Sequence, residues 1–535
     1  MPKFDTVVIN GVLVSASDVS SNCIGIKDGK ITVLAERFSD DDLRGAEVID
    51  AEGAYVMPGG VDGHVHLCQD LQTGPHGLGG RCADDFLTGS RSAMCGGTTT
   101  IITFATQTRS EPDRSLLGVV GRYKARADAT GSYIDYGFHV IIVRDDGDVL
   151  EEEMPRLVSE WGITSCKLFL TYETQRLSDK QLLNVMYEAR KNRITTMIHA
   201  ENGDAIEWLT DKLEERNKIA PYYHAWSRPP AVEGEATNRA IALAELIQNP
   251  ILFVHIGSAL AMKNVRKAQT RGLPVYAETC PQYFNLTWND LKKFHDPSCF
   301  ENSKMICSPP PPPDASDADE LYLGLHNGTF TIFSSDHCPF RYDDPHGKPT
   351  GVLEHAESMT GEPEPESCLD GHALCDLVSR KTGAFKFIPN GIPGVETRLP
   401  LLYTTALQTG RISPQKFVEL TSTNPAKLYG LYPRKGSLMP GADADIIIWH
   451  PDHSFVPFSL TNDRLHHNVD YTPYEGQQFT NWPRYTLSRG QVVYRNGQIT
   501  GKVGYGQYLK RGQSQLATAQ GRKQDPRRVA DWLYE

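Results

Sequence analysis

Apolar residues in the middle of this chain come in two alternating textures. Short, nearly continuous apolar runs occur at 98–106 (TTTIITFAT), 136–143 (YGFHVIIV), 163–172 (ITSCKLFLTY), 194–200 (ITTMIHA), 250–258 (PILFVHIGS), 273–280 (LPVYAETC) and 329–336 (TFTIFSSD). Between them lie stretches such as 179–192 (DKQLLNVMYEARKN) and 237–249 (TNRAIALAELIQN), whose apolar positions recur at helical spacing. The first texture suits strands buried on both faces, the second suits helices that pack one face on a sheet. Repeated alternation of the two predicts an α/β fold with a mostly parallel sheet. At least seven such strands between 57 and 434 favour a closed (β/α)8 TIM barrel.

The ends of the chain read differently. FDTVVINGVLV, CIGIKDGKITVLA and AEVIDAEGAYVMPG, within residues 4–59, cluster β-formers around the turn signals Asn10-Gly11 and Asp28-Gly29. The same texture returns at 436–451 and 481–500. We expect residues 1–56 and 435–505 to pair into one small β-sandwich domain beside a barrel at 57–434. Residues 506–535 read as a polar arm on the surface or on a neighbouring subunit. Ser308 opens a run of five prolines, which forces extended backbone, and 341–383 reads as a long polar loop over one barrel face.

Composition narrows the function. The formal net charge is -12, which argues against a nucleic-acid partner. No apolar stretch approaches the roughly 18 residues of a membrane span, so no membrane partner is expected. The 11 cysteines are scattered, without metal-finger or paired spacing, and read as reduced thiols. The first residues lack a secretory pattern. Together these predict a cytoplasmic protein.

Candidate chemistry collects at the ends of the apolar runs. His64 and His66, in GVDGHVH, are two apart, so on a strand both point to one face. That makes a metal-ligand pair or, equally, two ordinary histidines at a strand end. His199, His255 and Asp336 end three later runs. Singly each suits a core or rim position. Jointly they sit where barrel enzymes carry their catalytic groups. Lys167 lies among Cys166, Leu168, Phe169 and Leu170. Burial disfavours its charge, and a neutral lysine can take up carbon dioxide as an anionic carbamate. A salt bridge to a barrel acid is the plainer alternative.

GGVDGHVHL, SCKLFLTYE, MIHAENGD, YYHAWSRPPAVEGEATNRAI, PILFVHIGSA, VYAETCPQY, SSDHCPF and IPNGIPGVETRLPLLY, in this order, resemble the motif series of the dihydropyrimidinase/hydantoinase branch of the amidohydrolase superfamily. The series covers nearly the whole chain and looks nearest to eukaryotic, especially fungal, dihydropyrimidinase-like members. The resemblance implies a hydrolase of cyclic amides, acting on dihydropyrimidines or hydantoins. It implies two zinc ions per subunit: His64, His66 and Asp336 on one, His199 and His255 on the other, and carbamylated Lys167 between them. Asp336 would act as general base. Tyr172 would support the oxyanion, and backbone groups of Ser308 and Asn390 would hold the ring edge. On the residues alone, Tyr172 is equally a rim cap and Asn390 a turn residue. His337 is expected to face the other side of its strand, and His76, His224 and His326 to be structural. A homotetramer is implied as well.

Three departures from the pattern put the substrate in question. The loop 67–86 is longer and richer in glycine, prolines fill the positions after Ser308 where the family has an arginine, and an insert precedes Asn390. A hydantoinase or cyclic-imide hydrolase with a non-pyrimidine substrate is therefore the main alternative, with allantoinase behind it. A non-enzymatic binding protein like the collapsin response mediators is the other class. Against it, all six ligand positions hold competent residues.

Overall fold

The computed structural model describes residues 2–73, 78–109, 111–293, 299–344, 346–349 and 385–518. Eight strands form one sheet, labelled here in chain order: β1 (Gly60–Val65), β2 (Thr98–Thr106), β3 (Asp135–Ile141), β4 (Ser165–Phe169), β5 (Thr195–His199), β6 (Ile251–Phe253), β7 (Val275–Thr279) and β8 (Ile332–Phe333). Each pairs with the next in parallel. The chain beyond β8 returns to β1, where the His66 amide donates to the His337 carbonyl at 2.7 Å and Val65 bridges His337 in parallel. Asp62, inside the barrel, accepts from the amides of His64 and Ser335 and so ties the same two elements. The ring is closed, as the alternation of textures predicts.

Side-chain parity along these strands decides what faces the interior. Ile102 and Phe104 of β2, Ile141 of β3, Phe169 of β4, Met197 of β5 and Leu252 of β6 share one interior cluster. Their neighbours Ile101, Val140, Leu168, Ile198 and Phe253 belong to the outer layer under the helices. The period of two puts Lys167 with Phe169, and His199 with Met197, on the inward face. Helices such as Leu116–Thr130, Asp179–Lys191 and Pro230–Ile247 cover the outside. Asp179–Lys191 starts on a capping box formed by Ser178 and Gln181.

Both chain ends build the second unit. The N-terminal strand Tyr55–Pro58 pairs antiparallel with Ile446–Trp449 at the centre of a seven-stranded sheet. A four-stranded sheet from residues 6–50 packs on it, with Val8, Ile24, Ile26, Val56, Ile446 and Leu487 between the two. The described part of the C-terminal arm lies on its own barrel: the Leu509 amide donates to the Tyr136 carbonyl at 2.7 Å, and the Arg511 amide reaches the Gly162 carbonyl. Residues 519–535 and most of the expected long loop (350–384) lie outside the described residues, as do Cys368, Cys375 and His76.

Candidate active site and metal centre

The inward residues at the C-terminal ends of the strands converge. His64 Nε2 lies 3.0 Å from Asp336 Oδ1 and 2.8 Å from Lys167 Nζ. His66 Nε2 is 3.6 Å from the same carboxylate oxygen. His64, His66 and Asp336 present ligand atoms all within 4.8 Å of one another. The rings of His199 and His255 are adjacent, with centroids 4.3 Å apart, and His255 is 5.3 Å from His64. All six residues are buried.

Carboxylates behind the imidazoles fix their orientation. His64 Nδ1 is 2.6 Å from Glu278 Oε1, which also accepts the His255 amide at 3.0 Å. His199 Nε2 is 2.7 Å from Glu201 Oε2, and Arg228 donates to that same oxygen at 2.6 Å. His66 Nδ1 meets Gln69 Oε1. Each of these rings has one nitrogen held, and in His64 and His66 the other faces Asp336 at the centre, the arrangement that readies a histidine to ligate a metal. His255 is the exception. Both of its ring nitrogens are buried with no hydrogen-bond partner among the described residues. A buried imidazole without a partner is costly in a folded protein, and a cation at the centre would satisfy it. The donor set of imidazoles and a carboxylate fits a divalent transition metal.

The electrostatics agree. Burial pulls the Lys167 amine below its usual range, against the attraction of Asp336 and Glu278. The rings of Phe104 and Phe169 lie 4.6 and 5.0 Å from that amine. Burial would raise the Asp336 carboxyl, but the neighbouring His64 and its hydrogen bonds outweigh this and hold it well below the carboxylate range. Burial brings His66 down to about 4.

Above the centre opens a cleft of about 360 Å³, lined by His66, Lys167, His199, His255 and Asp336 at its floor. Tyr172, Ser308 and Asn390 stand on its wall. The Asn390 amide donates to the Tyr172 hydroxyl at 3.1 Å. Burial pushes the Tyr172 phenol up to about 12, although Arg228 and bonds from Ser308 and Asn390 work the other way. Tyr172, His255 and Asp336 all have left-handed backbone, with φ of 65°, 40° and 50°. Such strain in non-glycine residues concentrates at functional sites.

The structure thus brings the sequence-selected site residues together, with His64 buried beneath the cleft that the others line. His337 turns away, as expected, to Asp84 at 3.0 Å. His224, expected to be structural, is placed at the cleft itself. It lines the cleft, and its Nε2 lies 2.9 Å from the Cys307 carbonyl and 3.3 Å from the Ser308 hydroxyl. Burial keeps it neutral, down to about 3. Sequence reasoning missed Gln69, Glu201, Arg228 and Glu278. Two had a visible signal: Glu201 is two residues from His199, and Glu278 is a charge inside the apolar run VYAETC. A second cluster, Cys95, Glu396 and His466, is already satisfied internally, since Glu396 accepts from the His466 amide and ring and from Ser92.

The comparisons with known proteins agree with this geometry. A family model described as the amidohydrolase family matches residues 55–493. The chain belongs to the amidohydrolase family. A D-hydantoinase of Ralstonia pickettii is 37% identical over 509 residues, 95% of this chain and 99% of the relative. A D-hydantoinase of Geobacillus stearothermophilus is 38% identical over 506 residues, 94% and 96% of the two chains. The crystal structure of a dihydropyrimidinase from Brevibacillus agri superposes with a TM-score of 0.82 at 35% identity, covering 95% of this chain and 99% of that one.

Proposed function

We propose that this protein hydrolyses the ring of cyclic amides, dihydropyrimidines such as dihydrouracil and dihydrothymine or hydantoins, in a metal-assisted reaction. The observation that carries the reading is the convergence of six potential ligands, one of them with both ring nitrogens orphaned, beneath a cleft walled by Tyr172, Asn390 and Ser308. The relatives named D-hydantoinase and dihydropyrimidinase support it.

His64, His66 and Asp336 would hold one ion, His199 and His255 a second, and Lys167 as a carbamate would join them. We propose two zinc ions per subunit. When bound, such ions supply Lewis acidity at the carbonyl and lower the pKa of a water nucleophile. The chain's own residues do the rest. Asp336 stays ionised and takes the proton of the attacking water, then delivers it to the leaving ring nitrogen as the C–N bond breaks. Tyr172, kept protonated by burial, donates to the carbonyl oxygen as it gains charge. Main-chain groups of Ser308 and Asn390 hold the ring edge, so that the carbonyl faces both groups. A cytoplasmic homotetramer is the state we assign to it.

The test is ring opening by protein purified with zinc and bicarbonate, on dihydrouracil, hydantoin, a 5-aryl hydantoin, glutarimide and allantoin, with Lys167→Ala as control. Dihydrouracil turnover that the control lacks supports the reading. Turnover confined to hydantoins or imides favours the second reading, a hydantoinase shaped by the lengthened 67–86 loop. Neither turnover nor bound metal would sink both and leave the non-enzymatic reading.

A further inference from the structure

Lys348 is fully buried, yet its partners are unusual for a buried cation. Its amine donates to the main-chain carbonyls of Ile306 at 3.0 Å, Pro389 at 2.9 Å and Gly391 at 2.7 Å. An ammonium has three donors, and all three are used on carbonyls. No carboxylate joins them among the described residues. The three acceptors come from two segments far apart in sequence. One leads into Ser308, and the other flanks Asn390 on both sides. The Ile306 carbonyl also accepts the Gly391 amide at 3.0 Å, so both segments and the lysine meet at one oxygen. From there, Ser308 and Asn390 reach the Tyr172 hydroxyl.

The lysine itself is held by a tight turn. Its amide bonds the Arg341 carbonyl at 2.8 Å, and the Gly347 amide bonds Asp344 at 2.7 Å. A Cβ at Gly347 would lie 2.0 Å from the Arg341 carbonyl oxygen, so only glycine fits there. A buried group with a fixed stem and three spent donors acts as a spacer between the segments it joins.

We propose that Lys348 is a positioning residue: it clamps the segments 306–308 and 389–391 together and thereby sets where Ser308 and Asn390 present themselves to the Tyr172 hydroxyl. Its catalytic consequence rests on the function proposed above. The clamp itself does not. The side chain touches no proposed metal ligand, so its loss separates from loss of metal.

The experiment uses the zinc-loaded full chain with Lys348→Met, Lys348→Arg, Tyr172→Phe and the double variant K348M/Y172F. Metal content and thermal midpoint are measured beside kcat and KM. Lys348→Met is expected to keep its metal and lose about 100-fold in kcat, the loss typical of a misplaced oxyanion donor. Tyr172→Phe is expected to lose about as much alone but under about tenfold more in the Lys348→Met background, because groups that act as a unit are not additive. Lys348→Arg, which keeps charge and donors, is expected to recover most of kcat. Additive losses, or an unchanged kcat in a folded Lys348→Met protein, would overturn the proposal. If Lys348→Met does not fold, Lys348→Gln, whose shorter side chain cannot reach all three carbonyls, takes its place in the cycle with Tyr172→Phe, and additivity there overturns it equally. Hydrogen exchange at the Gly391 amide is the readout independent of turnover. Faster exchange there in the folded variant, with helix amides unchanged, supports the clamp even if no cyclic amide is hydrolysed by the parent protein. Unchanged exchange removes it.

Discussion

At the N-terminal end of the barrel, Lys435 lies among three aspartates: Asp135 and Asp445 at 2.7 Å and Asp443 at 3.0 Å. At the opposite end, Lys167 faces His64, two aromatic rings and a carboxylate already engaged by histidines. Both side chains are buried. Burial disfavours the cation in each, but around Lys435 the three carboxylates outweigh that cost and raise its pKa. Around Lys167 burial wins and lowers it. One lysine is therefore a permanent charge that pins the start of β3 to the segment leading into the C-terminal sheet. The other is an amine whose charge burial disfavours. A buried charge with its counter-charges supplied is a strut, and one left short of them is chemistry.

Lys167→Ala should break the reactive end alone. We expect loss of bound metal and a fall in turnover of roughly 10³-fold or more, since several kcal/mol of metal-derived stabilisation goes with it. The metal-free stability should fall only by the cost of truncating a buried side chain, about 2–4 kcal/mol, because no satisfied ion pair is lost. Metal analysis, kinetics and calorimetry check the three parts. A metal-replete, active Lys167→Ala protein would end the assignment.

Lys435→Met tests the strut. It leaves Asp135, Asp443 and Asp445 buried together without a cation, which should cost about 3–5 kcal/mol of stability. Urea unfolding reads that cost directly. Turnover per folded molecule should be unchanged, since Lys435 sits at the far end of the barrel. A midpoint equal to the parent's would show that the three carboxylates take up protons without cost.

The two ends also differ in what the sequence discloses. The strand-helix alternation and the parity of two suffice for the barrel and for the inward direction of Lys167 and His199. They also place Glu201 and Glu278, which the same parity marks once it is applied to carboxylates as well as to histidines. Lys435, in contrast, lies in a turn between textures, and its partners combine the nearby Asp443 and Asp445 with the remote Asp135. Lys348 reaches the carbonyls behind the site from a turn, and His224 borders the cleft from the short helix Tyr223–Trp226. No local period encodes such contacts, because they depend on how segments from 41 to 300 residues apart are brought together by the closed ring. The short β8 (Ile332–Phe333) shows the same limit: its apolar run extends to 329–336, but the chain must leave the sheet to swing Asp336 into the centre with φ at 50°.

Acid should loosen the reactive end in a defined window. Burial raises the Glu201 carboxyl, but the charge of Arg228 and the bond to His199 bring it from 4.5 down to about 2. A carboxylate with a depressed folded-state pKa binds fewer protons folded than unfolded, so its contribution is complete above its unfolded value. It is lost as pH falls from about 4.5 to about 2. The loss is on the order of 2–3 kcal/mol. Metal-free protein unfolded in urea at steps across that range should show it, and Glu201→Gln should flatten the slope. An identical slope in the variant would place the acid-sensitive group elsewhere.

The smallest expected effect is the most direct probe of how the reactive end is held. Glu201→Gln keeps the shape of the side chain and removes its charge. His199 then meets a neutral, weaker acceptor at its Nε2, and Arg228 is left buried against a neutral amide. The ring is free to turn, so zinc affinity should fall about 10- to 100-fold, as it does when a partner behind a ligating histidine is removed. Turnover at saturating zinc should recover most of the way, because the ligand itself remains. Lys435→Met separates the two effects: stability falls while zinc affinity holds. If Glu201→Gln bound zinc like the parent, then His199 is oriented by packing against Phe169, 5.2 Å away, rather than by its carboxylate. The reactive end would then be held by the same kind of close packing as the rest of the barrel.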